Sequence, residues 1–189
     1  MRDELSWTPV DEDPPTDYRV FTVKRRRASH PQTGQIRTFS IIDAPDWVNV
    51  IALSPADDVV LVRQFRHGTA DLTLEIPGGM VDPGESPLEA AQRELLEETG
   101  CRAAAWLPLG VVEPNPAIQS NRCHTYLALD AVGAAAQSLD PGEIIRIEAA
   151  PLADIPSLVA TGEIRHALVV AGFFHLLRMA GGWRRPTLG

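Results

Sequence analysis

Between Gly78 and Cys101 the chain carries Glu85, Glu89, Arg93, Glu94, Glu97 and Glu98 behind a glycine pair, Gly78-Gly79. Glu94, Glu97 and Glu98 stand at i, i+3 and i+4, so on a helix they fall on one side. Like charges at such spacings weaken a helix, and something must offset the repulsion. A hard divalent cation would do so. Magnesium prefers oxygen ligands in octahedral geometry, which clustered glutamates and a backbone carbonyl of the glycine loop can supply. The competing reading is a solvated acidic face, with Arg93 pairing to Glu97 one turn on.

The boundaries of that helix are written locally. Ser86 is a good N-cap, Pro87 suits the first helical position, Glu89 completes a capping box, and Gly100 can adopt the left-handed stop. The pattern predicts a helix from Pro87 to Thr99. Leu88, Ala91, Leu95 and Thr99 form the stripe expected to pack on a sheet, with Glu94, Glu97 and Glu98 beside it.

Strands must position this helix. The first seventeen residues, with three prolines and several acids, read as a loosely docked arm. Val20–Val23 and Arg37–Ile42, flanking the turn-rich Ser29–Gly34, predict an antiparallel hairpin. Further strands are expected at Trp47–Leu53, Val59–Phe65, Leu72–Ile76, Leu107–Glu113, His124–Leu129 and Ile144–Glu148, with a last helix at about Arg165–Met179. The pattern is mixed α and β with antiparallel sheets rather than a doubly wound fold.

Composition narrows the function. The 189 residues with 44% hydrophobic content suit a soluble domain with a real core, and the formal net charge of −8 opposes nucleic-acid binding. The apolar run Ala167–Phe174 falls short of the roughly 20 residues of a membrane span, and the N-terminus has no signal-peptide pattern, so no membrane partner and a cytoplasmic location are expected. Cys101 and Cys123 read as plain core thiols, and His67, His124 and His166 as packing or hydrogen-bonding residues, since no pair has metal spacing. The run Lys24-Arg25-Arg26-Arg27 reads as solvated or locally paired.

The stretch as a whole resembles the Nudix box. That signature is glycine, five residues, glutamate, seven residues, Arg-Glu, an apolar residue, any residue, Glu-Glu, any residue, glycine and an apolar residue. Gly79, Glu85, Arg93, Glu94, Leu95, Glu97, Glu98, Gly100 and Cys101 fill every place, Cys101 being the only unusual occupant. The resemblance implies an α+β fold, the Nudix α/β/α sandwich with a mixed β-sheet. It also implies Mg²⁺, with Mn²⁺ as the alternative, bound by Glu94, Glu97, Glu98 and the Gly79 carbonyl, with Arg93 and Glu85 orienting the site. Such metals neutralise phosphoryl charge while water attacks a diphosphate.

Outside the box, Val62-Arg-Gln-Phe-Arg66 and Leu74-Glu-Ile-Pro-Gly-Gly79 are similar to segments of ADP-ribose pyrophosphatases and nucleotide-sugar hydrolases of this family. There Arg66 would grip the pyrophosphate, a role suited to the planar guanidinium fork. Glu75, flanked by apolar strand residues, is expected to touch a metal or Arg66. Pro116, in Glu113-Pro-Asn-Pro116, stands where the ADP-ribose subgroup commonly has a proline, whereas Ala117–His124 departs from the glycine-containing loop usual there. Asp140–Glu148 is similar to the late loop that carries the proton acceptor, which nominates Glu143 ahead of Glu148 and Glu113. Trp47 could stack on a nucleobase or anchor the core.

Tyr18–Ile42 resembles the N-terminal β extension through which these enzymes pair, which implies that residues 1–45 form an N-terminal arm and β-hairpin extension that makes a homodimer, and residues 46–189 the hydrolase domain. The expected substrate is a small nucleoside diphosphate derivative, ADP-ribose or a nucleotide sugar. The alternatives are a nucleoside triphosphate or coenzyme A diphosphatase, and a non-catalytic nucleotide-binding sensor, which would tend to lose box carboxylates that this chain keeps.

Overall fold

The computed structural model describes residues 4–186. They form two compact units, one of residues up to 45 together with 113–122, the other of 46–112 together with the chain from 123 on.

The first unit is an antiparallel sheet of β1 (Thr8–Glu12), β2 (Thr16–Asp17), β3 (Thr22–Ser29) and β4 (Ile36–Asp43), with β3 pairing all three others. The expected hairpin is present, and Val23 lies opposite Ile42. The acidic N-terminal segment, expected as a loosely docked arm, contributes β1, and charge complementarity across strands engages it. Asp11 pairs with Arg27, Glu12 with Arg26 and Lys24, and Asp13 with Arg25. The basic run is therefore paired locally. Exposed pairs of this kind add little stability singly, but side by side they favour this register.

The second unit is built on a seven-stranded mixed sheet. Its strands are β5 (Trp47–Leu53), β6 (Asp58–Arg66), β7 (Asp71–Glu75), β8 (Gly78–Met80), β10 (Ala105–Val112), β11 (Cys123–Leu129) and β13 (Ile145–Pro151). The order is β10-β11-β5-β6-β13, with β7 added to β6 and β8 to β5. A short pair, β9 (Cys101–Arg102) with β12 (Val132–Gly133), stands apart from it. The sheet is not wholly antiparallel as periodicity suggested: β5 and β11 run parallel, Asn49 opposite Thr125. Helix α1 (Pro87–Thr99) lies on one face, and α2 (Ile155–Ala160) and α3 (Ala167–Ala180) serve the other.

The period-two alternation of β5 feeds both layers. Val48, Val50 and Ala52 pack with Ala90, Ala91 and Leu95 of α1. Ile51 and Leu53 pack with Val169, Phe173 and Leu176 of α3. A strand buried on both faces reads as a continuous apolar run, as Trp47–Leu53 does apart from Asn49. Each fully buried aliphatic side chain here contributes roughly 1.5–3 kcal/mol. The α+β sandwich with a mixed sheet and an N-terminal antiparallel β extension is thus the fold observed. One core position differs. Leu88, in the first turn of the helix, is 36% exposed, and Ala90 is buried in its place.

Candidate active site

Helix α1 has the boundaries its sequence specifies. The Ser86 side chain accepts from the Glu89 backbone N–H, Glu89 Oε2 accepts from the Ser86 N–H, and Gly100 ends the helix at φ +68°. The Ser86 and Glu89 side chains satisfy amides that the helix itself leaves open, and the Gly100 N–H donates to the Leu96 carbonyl at the other end.

The box carboxylates are not a solvated face. Glu98 is only 4% exposed and accepts a hydrogen bond from the Gly78 N–H at 2.9 Å. Strand β8 brings the glycine pair to the helix by pairing Gly79 with Val48 of β5. Gly79 lies so close to the Glu94 carboxylate that an added Cβ would overlap it. The closeness of that approach is the physical reason for glycine there.

Arg93 ties the cluster together. Its Nε and Nη2 donate to the two oxygens of Glu85 at 3.0 and 2.9 Å, and Nη2 also donates to the Met80 carbonyl at 2.9 Å. Nη1 donates to Glu94 Oε1 at 2.9 Å and Glu97 Oε2 at 3.2 Å. The planar fork thus fixes the end of the glycine loop and three box glutamates at once. The Arg93–Glu97 pair of the competing reading exists, but as one arm of this network.

Burial pushes Glu98 up to about 8, reinforced by the charges of Glu94 and Glu143 and eased by the Gly78 N–H and by Arg66. Burial likewise raises Glu94, although Arg93 opposes it. Carboxylates held together at such cost call for positive charge. Among the described residues no three His, Cys, Asp or Glu side chains already converge as a ready metal cage. Arg93 and the Gly78 N–H engage Glu94, Glu97 and Glu98 instead. The donor set is all oxygen, which fits a hard divalent cation better than zinc.

Beside the cluster a cleft of about 310 Å³ is lined by Trp47, Asn49, Arg66, Glu75, Gly78, Gly79 and His166, among others. Glu75 meets Arg66 as expected, in a two-point pair, and Thr73 Oγ1 donates to Glu75 at 2.6 Å. Arg66 also borders a second cleft of about 510 Å³, with Phe65, His67, Glu143 and Ile144. Glu143 is exposed and accepts from the Asp140 N–H at 3.1 Å. Its charge acts on Glu94, Glu98 and Arg66 alike, so the late loop lies within electrostatic range of the box. Glu148 is engaged elsewhere, by Arg63 at 2.7 Å and Arg146 at 2.7 Å.

The structure thus gathers Trp47, Arg66, Glu75 and Gly79 on one cleft and Glu143 on the next. Pro116 belongs to the first unit, where it lines a cleft with Trp7, Lys24 and Phe39. Glu113 lies there too and is exposed. His124 bonds Asp46 at 3.0 Å, and both cysteines are free, Cys123 buried in the core. Asn49 and His166 were not singled out as site residues, yet both line the Arg66 cleft. The signal for Asn49 was legible: a lone carboxamide interrupts an otherwise apolar strand. No helix among the described residues is long and apolar enough to cross a membrane.

Comparison with known proteins agrees with this geometry. The NUDIX domain model matches residues 45–173. An ADP-ribose pyrophosphatase of Mycobacterium tuberculosis is 27% identical over 170 residues, covering 88% of this chain and 81% of that protein. One of Bacillus subtilis is 30% identical over 135 residues, covering 71% and 73%. The crystal structure of an ADP compounds hydrolase superposes with a TM-score of 0.82 at 25% identity, covering 94% of this chain and 96% of that one. With its box complete, its carboxylates gathered on α1 and most of its length matched, this chain belongs to the Nudix hydrolase family.

Proposed function

We propose that the protein hydrolyses the pyrophosphate of a nucleoside diphosphate linked to a sugar-like group, with ADP-ribose or another nucleotide sugar as substrate, giving a nucleoside monophosphate and a sugar phosphate. The observation that carries this is the position of Arg66, which lines a cleft of about 310 Å³ and lies within electrostatic reach of Glu98 of α1. Relatives named for ADP-ribose and ADP-sugar cleavage support the same substrate class.

In this reading Arg66 holds the diphosphate through paired hydrogen bonds, and buried Glu75 holds the guanidinium in place. Arg93 keeps Glu94 and Glu97 beside the glycine loop. Glu94, Glu97, Glu98 and the Gly79 carbonyl would hold Mg²⁺ or Mn²⁺, which supplies neutralisation of the charge on the phosphoryl oxygens. Glu143 takes a proton from the water that attacks phosphorus, as the bond to the bridging oxygen breaks and that oxygen leaves with the second phosphate. Trp47 offers a flat ring to the base, and Pro116 shapes the loop of the first unit.

The reading extends to the whole molecule. Residues 1–45 form the extension through which two copies pair, residues 46–189 form the catalytic domain, and the enzyme works in the cytoplasm. Sedimentation at several concentrations tests the dimer, and a monomer throughout would remove it.

The deciding experiment is phosphate release, with a coupled phosphatase, from ADP-ribose, GDP-mannose, UDP-glucose, coenzyme A and dGTP, with Mg²⁺ and after chelation. Metal-dependent turnover of ADP-ribose or a nucleotide sugar that Glu98→Gln abolishes is the expected result. Folded protein that cleaves none of them would point to a nucleotide-binding sensor, and preference for dGTP or coenzyme A to another branch.

A further inference from the structure

Four buried side-chain atoms among the described residues lack a hydrogen-bond partner: Asn49 Nδ2, Asn121 Oδ1, His166 Nδ1 and His175 Nδ1. His175 packs against Gly110, where any side chain would collide with its ring, and Asn121 belongs to the first unit. Asn49 and His166 both line the cleft that Arg66 and Glu75 border. Asn49 is 9% exposed, in the middle of β5 among apolar neighbours. His166 precedes α3 and makes no capping bond to that helix.

A buried polar atom without a partner is destabilising, so two on one cleft wall call for an explanation. We propose that Asn49 and His166 are substrate-contacting residues whose side chains, each carrying an unpartnered and shielded polar atom, turn to hydroxyl groups of the sugar-like half of the substrate. The assignment deepens the hydrolase reading and rests on it.

The chemistry selects hydroxyls. The Asn49 Nδ2 amine only donates. Burial and the neighbouring Arg66 charge hold His166 below its ordinary value, against the pull of Glu75, which favours the neutral ring, one nitrogen donating and the other accepting. A phosphate oxygen would satisfy Asn49 but would serve His166 Nδ1 only in the tautomer that protonates it, whereas a hydroxyl serves either tautomer. A sugar hydroxyl both accepts and donates, and vicinal hydroxyls offer several such groups side by side. Arg66 provides the phosphate contact next to them.

The test compares two substrates with the same nucleoside diphosphate: ADP-ribose, and the methyl ester of ADP, which carries no second sugar. Asn49→Leu and His166→Phe are expected to lose about tenfold to a hundredfold in kcat/KM on ADP-ribose, mainly through KM. On the methyl ester both should stay within about twofold of wild type. His166→Gln, which keeps a hydrogen-bonding group, should recover part of the loss. Asn49→Leu should also melt no lower than wild type, since it removes an unpaired buried donor.

Equal losses on both substrates with lower melting would assign the residues a structural role and overturn the proposal, as would unchanged turnover of ADP-ribose. If Asn49→Leu does not fold, Asn49→Ser and His166→Gln decide by the same comparison. Wild-type protein that cleaves both substrates equally well refutes sugar recognition alone. Wild-type protein that cleaves neither refutes the hydrolase reading, and this assignment falls with it.

Discussion

Arg66 and Glu75 meet in a two-point pair, Nε to Oε1 and Nη2 to Oε2 each at 2.8 Å, although Glu75 is only 2% exposed. Burial by itself would push this carboxyl up. The hydrogen bonds and charge of Arg66, with Thr73 behind, more than offset it and hold Glu75 below its ordinary 4.5.

A native value below the unfolded one means that the pair stabilises the fold above about pH 4.5, and that this contribution is lost as pH falls through the native value. Glu75→Gln should therefore cost roughly 1–2 kcal/mol near neutral pH, discounted for the solvent-screened side of Arg66. Urea melts of both proteins down to about pH 3 should show the gap closing. A gap independent of pH would mean that the pair is not the source.

Gly79→Ala places a methyl group where the Glu94 carboxylate lies. The carboxylate must move, and a displacement on the order of 1 Å near reacting groups costs about a hundredfold in rate. Hydrolysis should drop by that order while circular dichroism is unchanged. Full activity would show that Glu94 has room to spare.

Arg93 contacts Glu85, Glu94, Glu97 and the Met80 carbonyl together. Lysine keeps the charge but not the fork, so Arg93→Lys should lose stability by roughly 1.5–3 kcal/mol and most of the activity. Calorimetry beside steady-state kinetics checks both, and a silent substitution would remove Arg93 from the role assigned to it.

The two ends of α1 can be tested without reference to catalysis. Ser86→Ala removes a reciprocal cap and should cost about 1 kcal/mol. Gly100→Ala should cost at least as much, because φ is +68° and the new Cβ would collide with the Ala135 carbonyl. Equilibrium unfolding reads both, and a Gly100→Ala variant as stable as wild type would contradict the geometry.

Glu143→Gln should lower kcat by about a hundredfold or more with little change in KM, as expected for loss of a proton acceptor. Glu148→Gln, which frees Arg63 and Arg146 instead, should act mainly on stability. The reverse assignment in a pair of kinetic and melting measurements would move the base to Glu148.

Much of this was legible because it is local. Ser86, Pro87, Glu89 and Gly100 act within one turn of the helix ends they define, so the bounds of α1 follow from adjacent residues. The spacing of Glu94, Glu97 and Glu98 on 3.6 residues per turn likewise gathers them on one side before any tertiary contact forms. Alternation on β6 and β7 gave their positions to within a residue or two. The parallel pairing of β5 with β11 was not readable in the same way, since a strand buried on both faces carries no sign of its partner's direction.

By itself, then, the sequence determined the chemical inventory: a capped helix presenting three glutamates and an arginine behind a glycine loop. Tertiary structure decided how that inventory is poised. It buried Glu98 while leaving Leu88 exposed, zipped Asp11, Glu12 and Asp13 onto a basic strand, and brought Asn49 and His166 from distant parts of the chain onto the wall beside Arg66. Burial and approach depend on which surfaces the sheet layers press together, and periodicity along one segment carries no information about the segment packed against it.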